Sequence, residues 1–129
     1  MSAKAIIRRM AQWKTATTDA FDAWFRGQSR GVRIEVAAAV EILAKVGPWQ
    51  GRPLVDTLRG SRYANMKELR LRAEGQVIRI AFAFDPRQTA LLLTAGAKQG
   101  VNEQRFYKAL IRKADALYAA HLAALQGQR

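Results

Sequence analysis

From Asn65 to Lys98 the chain alternates hydrophobic and polar residues with a period of two. Leu69 and Leu71 alternate with Arg70 and Arg72, and Ile78, Ile80, Phe82 and Phe84 alternate with Val77, Arg79, Ala81 and Ala83. That period marks strands with one buried face, and two consecutive hairpins account for it. A two-residue turn at Gly75-Gln76, with glycine first as a type II′ turn requires, pairs Leu71 with Ile80 and Leu69 with Phe82. A one-residue slip would set leucine against arginine, so the pattern selects this register. The second turn, Asp85-Pro86-Arg87-Gln88, carries proline and a preceding aspartate where a type I turn favours them. Pairing Phe84 with Thr89 then puts Leu91, Leu93 and Ala95 on the apolar face. By the same parity Arg70, Arg72, Arg79 and Lys98 share the other face, with Arg72 directly opposite Arg79. Like charges facing each other on a sheet are destabilising. Their presence points to a face that holds an anion, with a merely solvated sheet face as the alternative.

Helical periods flank the hairpins. A first strand is expected over about Met10 to Thr15, followed by a helix capped by Thr17 or Thr18, with Asp19 in its first turn and Phe21, Trp24 and Phe25 as its apolar stripe. A second helix is predicted from about Arg30 to Val46, carried by Val36, Val40 and Leu43 and stopped by Gly47-Pro48. The segment Gly51 to Tyr63 reads as a loop. A last helix, capped by Asn102, buries Phe106, Leu110, Ile111, Ala114, Leu117, Tyr118, Leu122 and Leu125. The order β-α-α-β-β-β-α predicts an α+β fold: a small antiparallel sheet packed by two N-terminal helices and a C-terminal helix. Residues 1–9 read as a basic extension and residues 10–129 as a single domain.

Charge sharpens the picture. The 129 residues carry 22 Lys and Arg against 10 Asp and Glu, a formal charge of +12, which favours a polyanionic partner. The absence of cysteine excludes a disulfide framework and a thiolate site, and the single histidine, His121, excludes a multi-histidine metal site. No cofactor or metal is expected. No apolar run approaches the roughly 20 residues needed to span a membrane and no signal-peptide core is visible, so the default expectation is a soluble cytoplasmic protein with no membrane partner.

The segments GRPLVDTLRGSRYANMKELR, VIRIAFAFDPRQTALLLTAGAKQG and RFYKALIRKADALYAAHLAAL resemble the phage-derived branch of the RelE/HigB toxin superfamily, over about Trp13 to Leu125. The resemblance implies the RelE-like toxin fold and a toxin of a bacterial type II toxin–antitoxin system. It implies a ribosome-dependent mRNA endonuclease, with a gyrase-directed toxin of the ParE branch or a nuclease-dead nucleic-acid-binding module as alternatives. It further implies an antitoxin partner with a helix-turn-helix domain, a toxin–antitoxin hetero-oligomer, and mRNA on the ribosome as target.

Metal-independent cleavage by the ribose 2′-hydroxyl needs a base, cations for the phosphoryl oxygens and a proton for the departing 5′-oxygen. Arg79, Arg70 and Lys98 are the candidates for the phosphate. Glu68 is the candidate base, with an ion pair to Arg70 or a neighbour as its structural alternative, and Lys67 or Lys98 the lysine alternatives. Tyr107 resembles the tyrosine that many family members place over the site; a core position beside Phe106 is the plainer reading. Arg72, Arg62, Arg105, Lys108 and Arg112 are candidates for backbone contacts with RNA. His121 reads as a satisfied helix residue, Asp85 as the shaper of its turn and Asp115 as a partner of Arg112 or an upstream cation.

Overall fold

The computed structural model describes residues 13–127; the expected basic extension over residues 1–9 and the predicted strand start at Met10 lie outside them. The chain runs β1 (Lys14–Thr17), α1 (Asp19–Arg26), α2 (Arg30–Val46), a 3₁₀ turn (Gly47–Trp49), β2 (Val55–Thr57), β3 (Met66–Ala73), β4 (Gln76–Phe84), β5 (Thr89–Ala97) and α3 (Glu103–Gln126). Side-chain caps start each α-helix where orphan amides need acceptors. Thr18 Oγ1 accepts from Phe21 N at 3.0 Å, Ser29 Oγ from Val32 N at 3.2 Å, and Asn102 Oδ1 from Arg105 N at 2.8 Å. The α+β class and the three helices are as expected.

The sheet departs from expectation in two ways. Its order is β1-β5-β4-β3-β2, and β1 lies parallel to β5, with Lys14 beside Thr89, so the sheet is mixed and not wholly antiparallel. A parallel pair needs a long crossover, which α1, α2 and the following strands supply. The expected loop after Gly51 contains the three-residue strand β2, too short to show a period, whose Val55 is buried and which pairs antiparallel with β3.

Both hairpins are shifted from the predicted register. The first turn is Glu74-Gly75, not Gly75-Gln76: Glu74 has φ 50° and Gly75 φ 77°. Two positive φ values define the type I′ turn, whose twist matches that of the flanking strands, and Glu74 is held by Ser29 Oγ at 2.8 Å. Leu69 therefore pairs with Ile80, Leu71 with Ile78, and Arg70, not Arg72, faces Arg79. Parity survives because the shift is two residues.

In the second hairpin the shift is odd, and the sides change. Asp85 Oδ1 accepts from Arg87 N (2.9 Å) and Thr89 N (3.0 Å), and Gln88 at φ 60° lengthens the loop by one residue. Phe84 then pairs with Ala90 and Phe82 with Leu92, while a bulge sets aside Leu93 before Ala81 meets Thr94. Leu91 and Leu93 thus leave the face assigned to them, as a one-residue change of register requires.

Two cores result. On one side Phe21, Val32, Val36 and Leu43 of α1 and α2 pack against Leu69, Ile78, Ile80, Phe82 and Leu92. On the other, Leu110, Ala114 and Tyr118 of α3 cover Ala81, Ala83, Leu91 and Leu93. The face expected to be cationic is therefore half apolar and covered, because α3 packs mainly on β4 and β5, while Arg70 and Arg72 farther along β3 stay exposed. Polar ties fix α3 along its length. Asp115 accepts from Ser61 Oγ and, at 3.0 Å, from Arg62 N, so it anchors a loop and does not pair with Arg112 as expected. Asn65 Nδ2 donates to Tyr118 OH at 3.2 Å, and His121 Nε2 donates to Asp85 Oδ2 at 2.8 Å.

Gly47 ends α2 at φ 67°, and a Cβ there would stand 2.2 Å from Trp13 Nε1. Gly47→Ala is expected to cost about 2–3 kcal/mol through left-handed strain and overpacking, measured by urea denaturation. Asp85 is buried; burial alone would raise its pKa, but the hydrogen bonds from His121, Thr89 and Arg87 together hold it below the usual value. A depressed carboxylate stabilises the fold above its unfolded pKa, and that gain disappears as pH falls through the folded one. Asp85→Ala should therefore cost about 2–3 kcal/mol at neutral pH, with the gap to the unsubstituted protein narrowing below about pH 4.

Candidate active site

Where the first turns of α3 reach β3, a buried polar chain is assembled. Arg79, on β4, is 6% exposed, and its Nε donates to Tyr107 OH at 2.8 Å. Tyr107 OH donates in turn to Glu68 Oε1 on β3 at 3.1 Å. The register makes this possible: Glu68 pairs with Ala81, one diagonal step from Arg79 on the same sheet face. The first turns of α3 bring Tyr107 over both. The Arg79 guanidinium lies 5.4 Å from the ring centroids of both Phe106 and Tyr107, a cation–π arrangement that offsets part of its desolvation. Gly96, the strand partner of Arg79, makes room: a Cβ there would come within 3.3 Å of the Phe106 ring. Glu103 Oε1, 3.9 Å from Arg79 Nη2, adds a weaker outer charge.

Glu68 is 4% exposed, and among the described residues its Oε2 is the one buried side-chain polar atom without a hydrogen-bond partner. It borders a cavity of about 400 Å³ whose wall also includes Tyr107, Leu58, Arg59, Arg52 and Asp56. Burial pushes the Glu68 pKa up, against the hydrogen bond from Tyr107 and the charges of Arg70 and Arg79, and Asp56 directly across the strand pair adds to the rise. Burial and the Glu68 carboxylate also raise the Tyr107 pKa, with Arg79 opposing them. The phenol is therefore neutral at physiological pH. Asp56 behaves oppositely: Arg52 holds it through Nε at 3.0 Å and Nη2 at 2.8 Å, and with Thr57 N keeps its pKa low.

The structure brings together Glu68, Tyr107 and Arg79 of the expected site. It does not assemble the expected cation clamp. Arg79 is enclosed by aromatic rings, Arg70 is exposed on the strand opposite, and Lys98 lies exposed beyond the end of β5. Glu68 bonds Tyr107 and not Arg70, its structural alternative. Lys67 alternates to the other side of β3 and donates to Thr57 Oγ1 at 3.1 Å. Arg72 lies on the open face near Arg70, Arg62 covers the Tyr63 ring at 5.5 Å, and Arg105, Lys108 and Arg112 are exposed along α3. Sequence reasoning missed the wall formed by Arg52, Asp56 and Arg59, because strand β2 gives no periodic signal; the Arg52–Asp56 spacing of four was its only trace. Among the described residues no cluster of His, Cys, Asp and Glu could hold a metal, and no helix is long and apolar enough to cross a membrane.

A mixed five-strand sheet with two helices on one face and a third over the other defines an α+β fold shared with the RelE toxins. A mutant of the E. coli toxin RelE in the free state superposes with a TM-score of 0.56 at 12% identity, covering 79% of this chain and 96% of that one. Residues 23–119 match the family described as "Phage derived protein Gp49-like (DUF891)", and the chain belongs to that family. Two relatives come from Mycobacterium tuberculosis (strain ATCC 25618 / H37Rv). "Putative toxin HigB2" is 47% identical over 110 residues, 84% of this chain and 54% of that protein. "Putative toxin HigB3" is 45% identical over 92 residues, 71% of this chain and 78% of that protein. The chain thus spans about half the length of the first of these relatives.

The raised Glu68 pKa has a consequence for stability. A carboxyl whose pKa rises on folding favours the fold below its unfolded pKa, and that contribution is lost as pH climbs through the folded one. Glu68→Gln is therefore expected to raise the melting temperature at pH 7–8, with the gain vanishing below about pH 4. Calorimetric melts of both proteins across that range check it.

Proposed function

We propose that this chain is the toxin of a toxin–antitoxin pair and that it cuts mRNA at the Glu68–Tyr107–Arg79 site. The fold shared with RelE and the names of the mycobacterial relatives support the toxin reading. The observation that carries the chemistry is the unpartnered Glu68 Oε2, buried at a cavity wall and one hydrogen bond from a neutral phenol.

In this reading Glu68 Oε2 takes the proton of a ribose 2′-hydroxyl, and the resulting oxygen attacks the adjacent phosphorus. A 2′,3′-cyclic phosphate forms as the bond to the 5′-oxygen breaks. Tyr107 supplies the proton to that oxygen, and Arg79 Nε stabilises the phenolate that develops. Rotation of the Glu68 carboxyl then turns the protonated oxygen toward Tyr107, and the proton passes from carboxyl to phenolate, so the site resets without outside acid. Arg79 acts through Tyr107 as a positioning residue, while Arg59 at the cavity wall offers a cation to the phosphoryl oxygens. The partner is an antitoxin, expected to carry a helix-turn-helix domain, and the substrate is mRNA on the ribosome.

Pulse-labelling after induction of the chain alone in bacteria tests this. Methionine incorporation should fall before thymidine incorporation. Tyr107→Phe and Glu68→Gln should each reduce cleavage by roughly 10²–10⁴-fold, the usual span of acid–base catalysis. Early loss of thymidine incorporation with translation spared would instead point to gyrase and overturn the mechanism.

A further inference from the structure

A second and larger cavity, of about 580 Å³, adjoins the first. Its apolar lining comes from Pro53, Leu54, Leu71 and Val77, and its cations are Arg52, Arg70 and Arg72. The one carboxylate in its wall, Asp56, is already engaged by Arg52 at 2.8 Å. The pocket is pinned open by the chain itself: Arg70 N donates to Leu54 O at 2.7 Å, tying the 51–54 turn to β3. Leu54 and Leu71 are packed against the core beneath, so the apolar surface is part of a fixed wall.

We propose that this pocket seats one nucleotide of single-stranded RNA, next along the chain from the scissile phosphate. The inference rests on the ribonuclease reading of the first cavity and extends it. Arg70 and Arg72 project from the same face of β3, about 6.6 Å apart at the strand's rise of two residues, which suits successive phosphates of an extended strand. The apolar wall takes the flat face of a base, and the Arg52 guanidinium can stack on it. Arg52 and Asp56 belong to the walls of both cavities. An RNA strand bent around that ion pair therefore places one nucleotide in each. A concave, cation-rimmed apolar pocket suits a base with its phosphate better than a membrane, which would need protruding apolar groups.

Fluorescence anisotropy with a labelled hexaribonucleotide and the Tyr107→Phe protein isolates binding from cutting. Adding Arg70→Gln and Arg72→Gln, both on exposed residues, should weaken binding at least tenfold at 0.1 M salt. The slope of log affinity against log salt should fall by about 1.4, the value for two single-strand phosphate contacts. An oligonucleotide with one abasic position should bind more weakly with its slope unchanged. Affinity and slope indifferent to the arginine pair would overturn the pocket, even where Tyr107→Phe abolishes cleavage. Loss of slope with no penalty for the abasic oligonucleotide would overturn the seated base. Arginine-dependent binding in a protein whose cleavage ignores Tyr107 and Glu68 would uphold the pocket and overturn the catalytic reading alone.

Discussion

Everything at the open end of this fold follows from burying the guanidinium of Arg79. An ion withdrawn from water costs several kcal/mol unless it is paired and hydrogen-bonded. Here the solution comes almost wholly from one helix, since Tyr107 accepts its Nε hydrogen bond and the rings of Phe106 and Tyr107 enclose it. The docking of α3 and the solvation of Arg79 are thus one requirement. Glu68 completes the arrangement by accepting from the same phenol. A carboxylate placed there shares the low-dielectric environment, and its pKa rises for the same reason that Arg79 needs its partners.

The two faces of the sheet divide the labour. Against α1 and α2 the sheet is an apolar wall with Leu69, Ile78, Ile80 and Phe82 fully buried. Against α3 the wall is half apolar, and it is interrupted where Arg79, Glu68 and Thr94 enter. Small residues make the second face possible. Ala81 and Ala83 let α3 approach, and Gly96 lets Phe106 settle over Arg79. The polar ties of Asp115, Tyr118 and His121 then hold a long helix whose buried stripe is narrow.

Much of this was legible in the sequence, and the failures are instructive. Caps at Ser29 and Asn102 and the stop at Gly47 rest on local chemistry, and local chemistry can be read along the chain; Asn102 and Gly47 were read there, while Ser29 is found in the structure. The face shared by Arg70 and Arg79 was readable because parity survives an even shift. The sides of Leu91 and Leu93 were not readable, because they depend on Gln88 adopting a positive φ and on a bulge at Leu93. Burial of Arg79 was invisible for a different reason: alternation assigns a face but cannot say whether a distant helix will cover it. The Arg52–Asp56 wall shares that limit, since it exists only once β2 pairs with β3.

The enclosure of Arg79 also separates two electrostatic regimes within one small protein. Charges at the surface, such as Arg70 and Arg72, act through water and are screened beyond about 10 Å at 0.1 M salt. In the Arg79–Tyr107–Glu68 chain both charged ends are buried and the phenol between them is half-buried, so salt screens it far less. Ionic strength therefore acts strongly on the exposed arginines and only weakly on the bonds within the chain, so the two groups answer to different properties of the solvent.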